Sequence, residues 1–202
     1  MNLQPLFETQ KKLDERIVKE KGLEGVDLLD KKILALQVEL GELANEWRGF
    51  KFWSENQEPR TYGFDDDKDC EYCNGTGTVR EHPSDTGYRC PDCEGSGFMH
   101  YNPLLEEYVD CLHFILSIGN DIGMSSVTWS TTELVNYTTL DSFDTTFYQI
   151  AQFSNRRTSL FYGNILTIFI HLGKRLGFTW QQIEQAYYEK NKINHERQAN
   201  GY

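Results

Sequence analysis

Apolar residues recur along most of this chain every three to four positions, the period of an α-helix rather than a strand. Leu3, Leu6, Leu13 and Ile17 form one such stripe and predict a helix over 3–20, with Gln10 on the same face. A second helix is predicted over about 27–48, with Asp27 as a candidate cap. Pro103 fits a first helical turn, and the apolar spacing behind it predicts a third helix to about Ile122. The spacing fades over 123–143, where Ser, Thr and Val are frequent, so this stretch reads as a loop with short helical pieces. Helical spacing returns at about 143–154 and at 159–176. The run TWQQ then places Thr179 and Gln182 at capping-box spacing and starts a last helix that extends to about Ala199. The expected fold class is all-α, a helical bundle.

One region breaks the pattern. After Phe52 the chain turns polar, with Pro59, Gly63 and an acidic run at 65–67, and residues 70–97 hold five of the sixteen glycines. The expected organisation is an all-α domain from 1–56 and 102–202, with 57–101 as an inserted module. Within the module, CEYCNGTG and CPDCEGSG are two copies of C-x-x-C-x-G-x-G, separated by sixteen residues between Cys73 and Cys90. Each C-x-x-C turn presents two thiolates to one ion, and two turns complete a tetrahedron. Cys70, Cys73, Cys90 and Cys93 are therefore candidate Zn²⁺ ligands in a small zinc-binding module. Four thiolates leave no open coordination position, so the expected role is structural. The fifth cysteine, Cys111, lies within the third helix and reads as core. The repeat resembles half of the zinc-binding region of J-domain co-chaperones, over residues 70–97 alone.

Composition narrows the partners. The chain has 202 residues, is 39% hydrophobic and carries a net charge of −11. That charge argues against nucleic acid, whose phosphate backbone selects basic surfaces. It leaves room for a small polyphosphate bridged to acidic side chains by divalent cations. No run approaches the roughly 18–20 apolar residues of a membrane span. The opening MNLQPLFETQKK lacks the apolar centre of an export signal, so a cytoplasmic location is expected.

The candidate chemistry sits on the helices. LQVELGELANEW, residues 36–47, lines up Glu39, Glu42 and Glu46 on one helical face. A solvated amphipathic face is one reading of that pattern. The third helix, however, carries Glu106, Glu107 and Asp110, and Glu107 and Asp110 share a face as Glu39 and Glu42 do. Two antiparallel helices would gather these four carboxylates, and such a cluster needs cations because like charges repel. Hard oxygen ligands select Mg²⁺, which accepts substrate phosphates as further ligands. On the last helix Lys190, Asn194 and Arg197 form a stripe. It reads either as a solvated surface or, beside a metal site, as a grip for a triphosphate.

These residues carry a resemblance. E-x-x-E, then FKFW, then E-x-x-D followed by LHF, and the ending KNKINHERQANGY look like the dimeric all-α dUTPases of the MazG-like nucleotide pyrophosphatase superfamily. The resemblance covers about 3–55 and 102–202. It implies an all-α pyrophosphatase fold, a homodimer, and Glu39, Glu42, Glu107 and Asp110 as Mg²⁺ ligands. It implies that Trp53 packs against uracil or deoxyribose and that Lys190, Asn194 and Arg197 hold phosphates. Gln10 would reach the base, joined by Asp14, a position where the family often carries Asn. His113 would touch the sugar, although it equally fits a hydrogen-bonded core histidine. The implied activity is Mg²⁺-dependent hydrolysis of dUTP, and also dUDP, with water as nucleophile and Glu42 as its proton acceptor. Two rivals are a related pyrophosphatase for another base, such as dCTP, and a non-enzymatic interaction protein built around the zinc module.

Overall fold

The computed structural model describes residues 1–82, 85–124 and 137–201. Among these residues there are six α-helices. They are α1 (Gln4–Glu20), α2 (Leu29–Trp47), α3 (Pro103–Asp121), α4 (Thr139–Arg156), α5 (Ser159–Arg175) and α6 (Trp180–Ala199). The all-α class stands.

Helix starts follow their caps. Thr179 and Gln182 form the expected capping box at α6. The Asp27 carboxylate accepts from the Leu29 N–H at 3.0 Å, so it caps α2 from one position further out than expected. Helix α4 begins at Thr139 rather than near 143, because Thr138 and Asp141 form a capping box that the weak apolar spacing did not reveal. Most of the expected loop over 123–143, namely 125–136, lies outside the described residues.

Helix α3 is the centre of the bundle. It packs against α1, α2, α5 and α6, and α2 is its most extensive neighbour. Leu40 and Leu43 of α2 and Leu104, Leu112 and Ile115 of α3 are fully buried along this seam. Burying each such side chain stabilises the fold by roughly 1.5–3 kcal/mol. On the far side of α3, the Tyr162 hydroxyl of α5 donates to the Ile115 carbonyl at 2.9 Å. Gly119 permits this approach, because the tyrosine ring fills the space a Cβ would need.

The module is not helical. It contains two small antiparallel strand pairs: β1 (Gly63–Asp69) with β4 (Phe98–Tyr101), and β2 (Thr78–Val79) with β3 (Tyr88–Arg89). Gly63 lies opposite Tyr101, so the chain leaves the bundle and returns to it at one place. Arg60 ties that neck to the helices. Its N–H donates to the Glu46 carbonyl at 2.9 Å, and its own carbonyl accepts from Leu104 N–H at 3.0 Å. Its guanidinium pairs with the Glu46 carboxylate. The end of α2 and the start of α3 are thereby fixed to one residue.

Candidate active site and metal centres

The α2–α3 seam presents carboxylates at one end of its apolar contact. Oxygens of Glu39, Glu107 and Asp110 all lie within 4.8 Å of one another. Three of the four expected Mg²⁺ ligands thus converge. Glu42 is exposed and outside that trio, but its charge acts on both Glu39 and Glu107. Glu46 points to Arg60 instead and supports the neck rather than the cluster.

The cluster is electrostatically unsatisfied. Burial, then the charges of Asp110 and Glu42, push Glu39 up to about 7, against the pull of Lys190. Burial and the neighbouring Asp110, Glu42 and Glu39 push Glu107 up to about 8. Asp110 is raised as well, by burial, although Lys190 opposes it. One Glu107 oxygen, Oε2, is buried without a hydrogen-bond partner. An acceptor-only group left unpaired beside two like charges is what a divalent cation would complete. The donor set, oxygen throughout, fits Mg²⁺.

A stability consequence follows. Both glutamates start from 4.5, so over pH 4.5 to 8 the folded, metal-free protein binds more protons than the unfolded chain. Stability without metal is therefore expected to fall as pH rises from about 4.5 through 7 and 8. Mg²⁺ bound at the cluster would replace those protons and should therefore raise the melting temperature more at pH 8 than at pH 5.5. Melts with Mg²⁺ and with EDTA across this range check it, and a shift that ignores pH would count against the cluster as the binding site.

Beside the carboxylates lies a cavity of about 360 Å³, with Glu39 and Asp110 at its wall. Gln10, Asp14, His113, Lys190, Asn194 and Arg197, all expected from sequence, line it. Lys190 is buried, and its Nζ donates to Glu106 and to Asp110 at 2.7 Å each. Burial disfavours its charge, but the two carboxylates outweigh burial and hold its pKa above the ordinary lysine value.

A polar network is built around Gln10 in the same cavity. His113 is buried, stacks on Tyr187 at 4.3 Å, and is pushed down to about 3 by burial and by the Lys190 charge. Its imidazole is therefore neutral, and its Nδ1 lies 2.7 Å from Gln10 Oε1. Tyr187 OH donates to the same oxygen at 2.9 Å. The Gln10 amide nitrogen donates to Asp14 at 2.8 Å, and Ser117 donates to the other Asp14 oxygen at 2.7 Å. The amide orientation of Gln10 is thus set from both sides.

Trp53 does not join this cavity. It is 65% exposed and packs edge-on against Phe50 and Phe52, with centroids 5.7 and 5.0 Å away. Arg48, in the left-handed region at φ 64°, ends α2 and turns the following residues outward. Lys32, Ser117 and Gln198 line the cavity without having been singled out from sequence. Helical spacing carried a signal for two of them: Lys32 precedes Glu39 by two turns, and Ser117 follows Asp110 by two turns.

In the module, the four cysteine sulfurs converge on one point within 4.8 Å. Cys70 and Cys90 sulfurs are 3.8 Å apart, and those of Cys73 and Cys93 are 3.7 Å apart. Zn–S bonds of about 2.3 Å in a tetrahedron give S–S edges of about 3.8 Å. Gly77 and Gly97, at φ +69° and +85°, turn their N–H groups onto Cys73 and Cys93 sulfur at 3.2 and 3.3 Å. Among the described residues, Val79 is the one other hydrophobic side chain packed on these cysteines. In a fold so short of apolar contact, a metal held by these four sulfurs would supply the missing stability.

A family model described as dUTPase matches residues 2–66 and 99–202. The match stops within β1 and resumes within β4, leaving 67–98 outside it. No curated protein matches the chain.

Proposed function

The chain belongs to the dUTPase family and is a dUTP diphosphatase, and we propose that it works with Mg²⁺ held by Glu39, Glu107 and Asp110, with Glu42 beside them. The observation that carries this is the convergence of three carboxylates at the wall of a cavity that also holds Lys190, Asn194 and Arg197. Bound there, Mg²⁺ supplies charge neutralisation at the phosphates and lowers the pKa of water. The protein's own groups orient and neutralise the substrate. Lys190 and Arg197 offer charged donors to phosphate oxygens, and Asn194 adds a neutral one. Glu42, exposed and at the edge of the cluster, accepts the proton of the attacking water as the α–β phosphate bond breaks to give dUMP and pyrophosphate.

The Gln10 network reads the nucleoside. With Gln10 Oε1 occupied by His113 and Tyr187, and one amide hydrogen given to Asp14, the second amide hydrogen remains for a ligand. A carbonyl oxygen suits that donor; uracil has one where cytosine carries an amino group, a difference that a polar site can exploit strongly. His113, neutral at working pH, orients Gln10 and lies alongside the sugar rather than acting as a base. The grip on phosphates does not demand a third phosphoryl group, so dUDP is accepted too. The four cysteines hold a structural Zn²⁺, and 57–101 is an inserted module on a MazG-like bundle. Phe52 and Trp53, 84% and 65% exposed, form an aromatic edge that a second copy would cover in a homodimer. No described helix is long and apolar enough to cross a membrane, in keeping with work on a cytoplasmic nucleotide pool.

Pyrophosphate release from dUTP, dCTP, dTTP and dATP, with Mg²⁺ and with EDTA, tests the reading. Mg²⁺-dependent release confined largely to dUTP is expected; a preference for dCTP would overturn the base assignment. Arg197→Ala should weaken dUTP binding by about tenfold or more through loss of a charge-assisted contact, while deoxyuridine binding changes little. Equal losses for both ligands would show that Arg197 does not read phosphates.

A further inference from the structure

The position of Lys190 raises a problem for the metal site. Its ammonium donates to Asp110 at 2.7 Å, and Asp110 is one of the three clustered carboxylates. A lysine that closes fully on Asp110 competes with a cation for the same oxygens. The competition is divided by a residue outside the trio. Glu106 stands one helical turn before Asp110 on α3 and accepts from the same Nζ at 2.7 Å. The Lys190 side chain is 10% exposed and that of Glu106 37% exposed, so the lysine has little water to turn to. Lys190 and Glu106 also line a second cavity of about 260 Å³ between α3, α6 and the β1–β4 pair, which Glu39 does not line.

We propose that Glu106 is a positioning residue that holds Lys190 at the boundary between the two cavities and so keeps Asp110 available to a divalent cation. The proposal rests on the metal assignment above. When a cation takes Asp110, Lys190 gives up one partner and keeps the other, so its charge stays paired and its direction stays fixed. Remove the Glu106 acceptor, and Asp110 becomes the nearest carboxylate for a buried ammonium. The lysine then closes on Asp110, and the cation must displace it.

The test needs no turnover. Mn²⁺ binding to the nucleotide-free protein is measured by the electron-spin signal of the free ion. Glu106→Ala should raise the Mn²⁺ Kd by about tenfold, equivalent to ~1.4 kcal/mol. Glu106→Gln keeps an acceptor oxygen for Lys190 and should raise it only about two- to threefold, the part owed to lost charge alone. In a Lys190→Met background the two substitutions should give the same small shift, because no ammonium remains to be held. Helical circular dichroism should be unchanged, since Glu106 lies at a partly exposed surface. Mn²⁺ affinity in Glu106→Ala equal to wild type would overturn the proposal. So would Glu106→Gln as weak as Glu106→Ala, or a difference between them that persists without Lys190. Absence of Mn²⁺ binding by the wild-type protein would instead overturn the metal assignment, and this proposal with it.

Discussion

Glu39→Gln and Asp110→Asn are each expected to cut dUTP turnover by about a thousandfold or more, roughly 4 kcal/mol of barrier, in a protein that stays folded. Each neutralises one of three carboxylates whose oxygens lie within 4.8 Å of one another on facing helices. The change in shape is slight, since an amide replaces a carboxylate of nearly the same size. The change in charge is large, because a divalent cation loses a formal ligand charge in a partly buried site. Without metal, Glu39→Gln removes a like charge from a crowded cluster, so that variant should melt at or above the wild-type temperature in EDTA, whereas Asp110→Asn also takes a charged partner from the buried Lys190 and should gain less. Loss of activity together with retained or raised stability separates a functional carboxylate from a structural one. Near-normal kcat/KM in either variant would remove that residue from the metal site.

Replacing both Cys90 and Cys93 with Ser should abolish zinc binding and unfold the knuckles around 70–97. Structural zinc sites contribute about 10–16 kcal/mol of apparent binding energy to small domains, and hardly any apolar contact here is available to offset its loss. The bundle has its own continuous core from Leu6 to Tyr187 and should survive. The expected metal carboxylates all lie outside 67–98, the stretch not matched by the family model. Turnover of dUTP is therefore expected to stay within about tenfold, ~1.4 kcal/mol. Zinc content by chelator titration, the helical melt and kcat/KM for dUTP and dCTP report the three effects separately. Loss of most activity, or of the preference for uracil, would instead make the module part of the working site. The route for that outcome would be the β4–α3 junction, where His100, Tyr101 and Asn102 line the cavity that Glu106 and Lys190 share. A companion deletion should keep Arg60, because it fastens α2 to α3.

Much of this was legible in the chain because most of it is helical. Apolar spacing located α1 and α5 to within a residue or two, while Pro103 and the Thr179–Gln182 capping box set the starts of α3 and α6. The start of α4 was misplaced because its first turn is fixed by a hydroxyl and a carboxylate, not by apolar periodicity. The strands of the module escaped notice for a related reason. β2 and β3 are two residues each, and β1, GFDDDKD, has no alternation to read. Their pairing follows the cysteine geometry. In the candidate site, residue types with distinctive chemistry stood out: paired carboxylates and a Lys–Asn–Arg stripe. Lys32 and Ser117 lie on the same helical faces but have no such signature by themselves. Trp53 shows where linear distance stops being informative. It lies six positions after α2, yet one left-handed residue sends it toward solvent.

The neck at Gly63 and Tyr101 has a consequence for how the chain folds. Helices α2 and α3 form the tightest pair in the bundle, yet the whole module lies between them in sequence. For a structureless connection, bringing their ends together would carry the closure entropy of that entire segment. That cost grows with the logarithm of length, about 0.6 kcal/mol for each doubling. The four-cysteine segment makes its contacts locally and is synthesised before α3. Closed on a metal, it would shorten the effective connection to residues 48–62 before the β1–β4 pair and Asn102 after it. A segment apart from the expected metal carboxylates would thus speed the meeting of the two helices that carry them. Zinc supply would then show itself in the refolding rate of the bundle, even where the activity of the finished protein is indifferent to it.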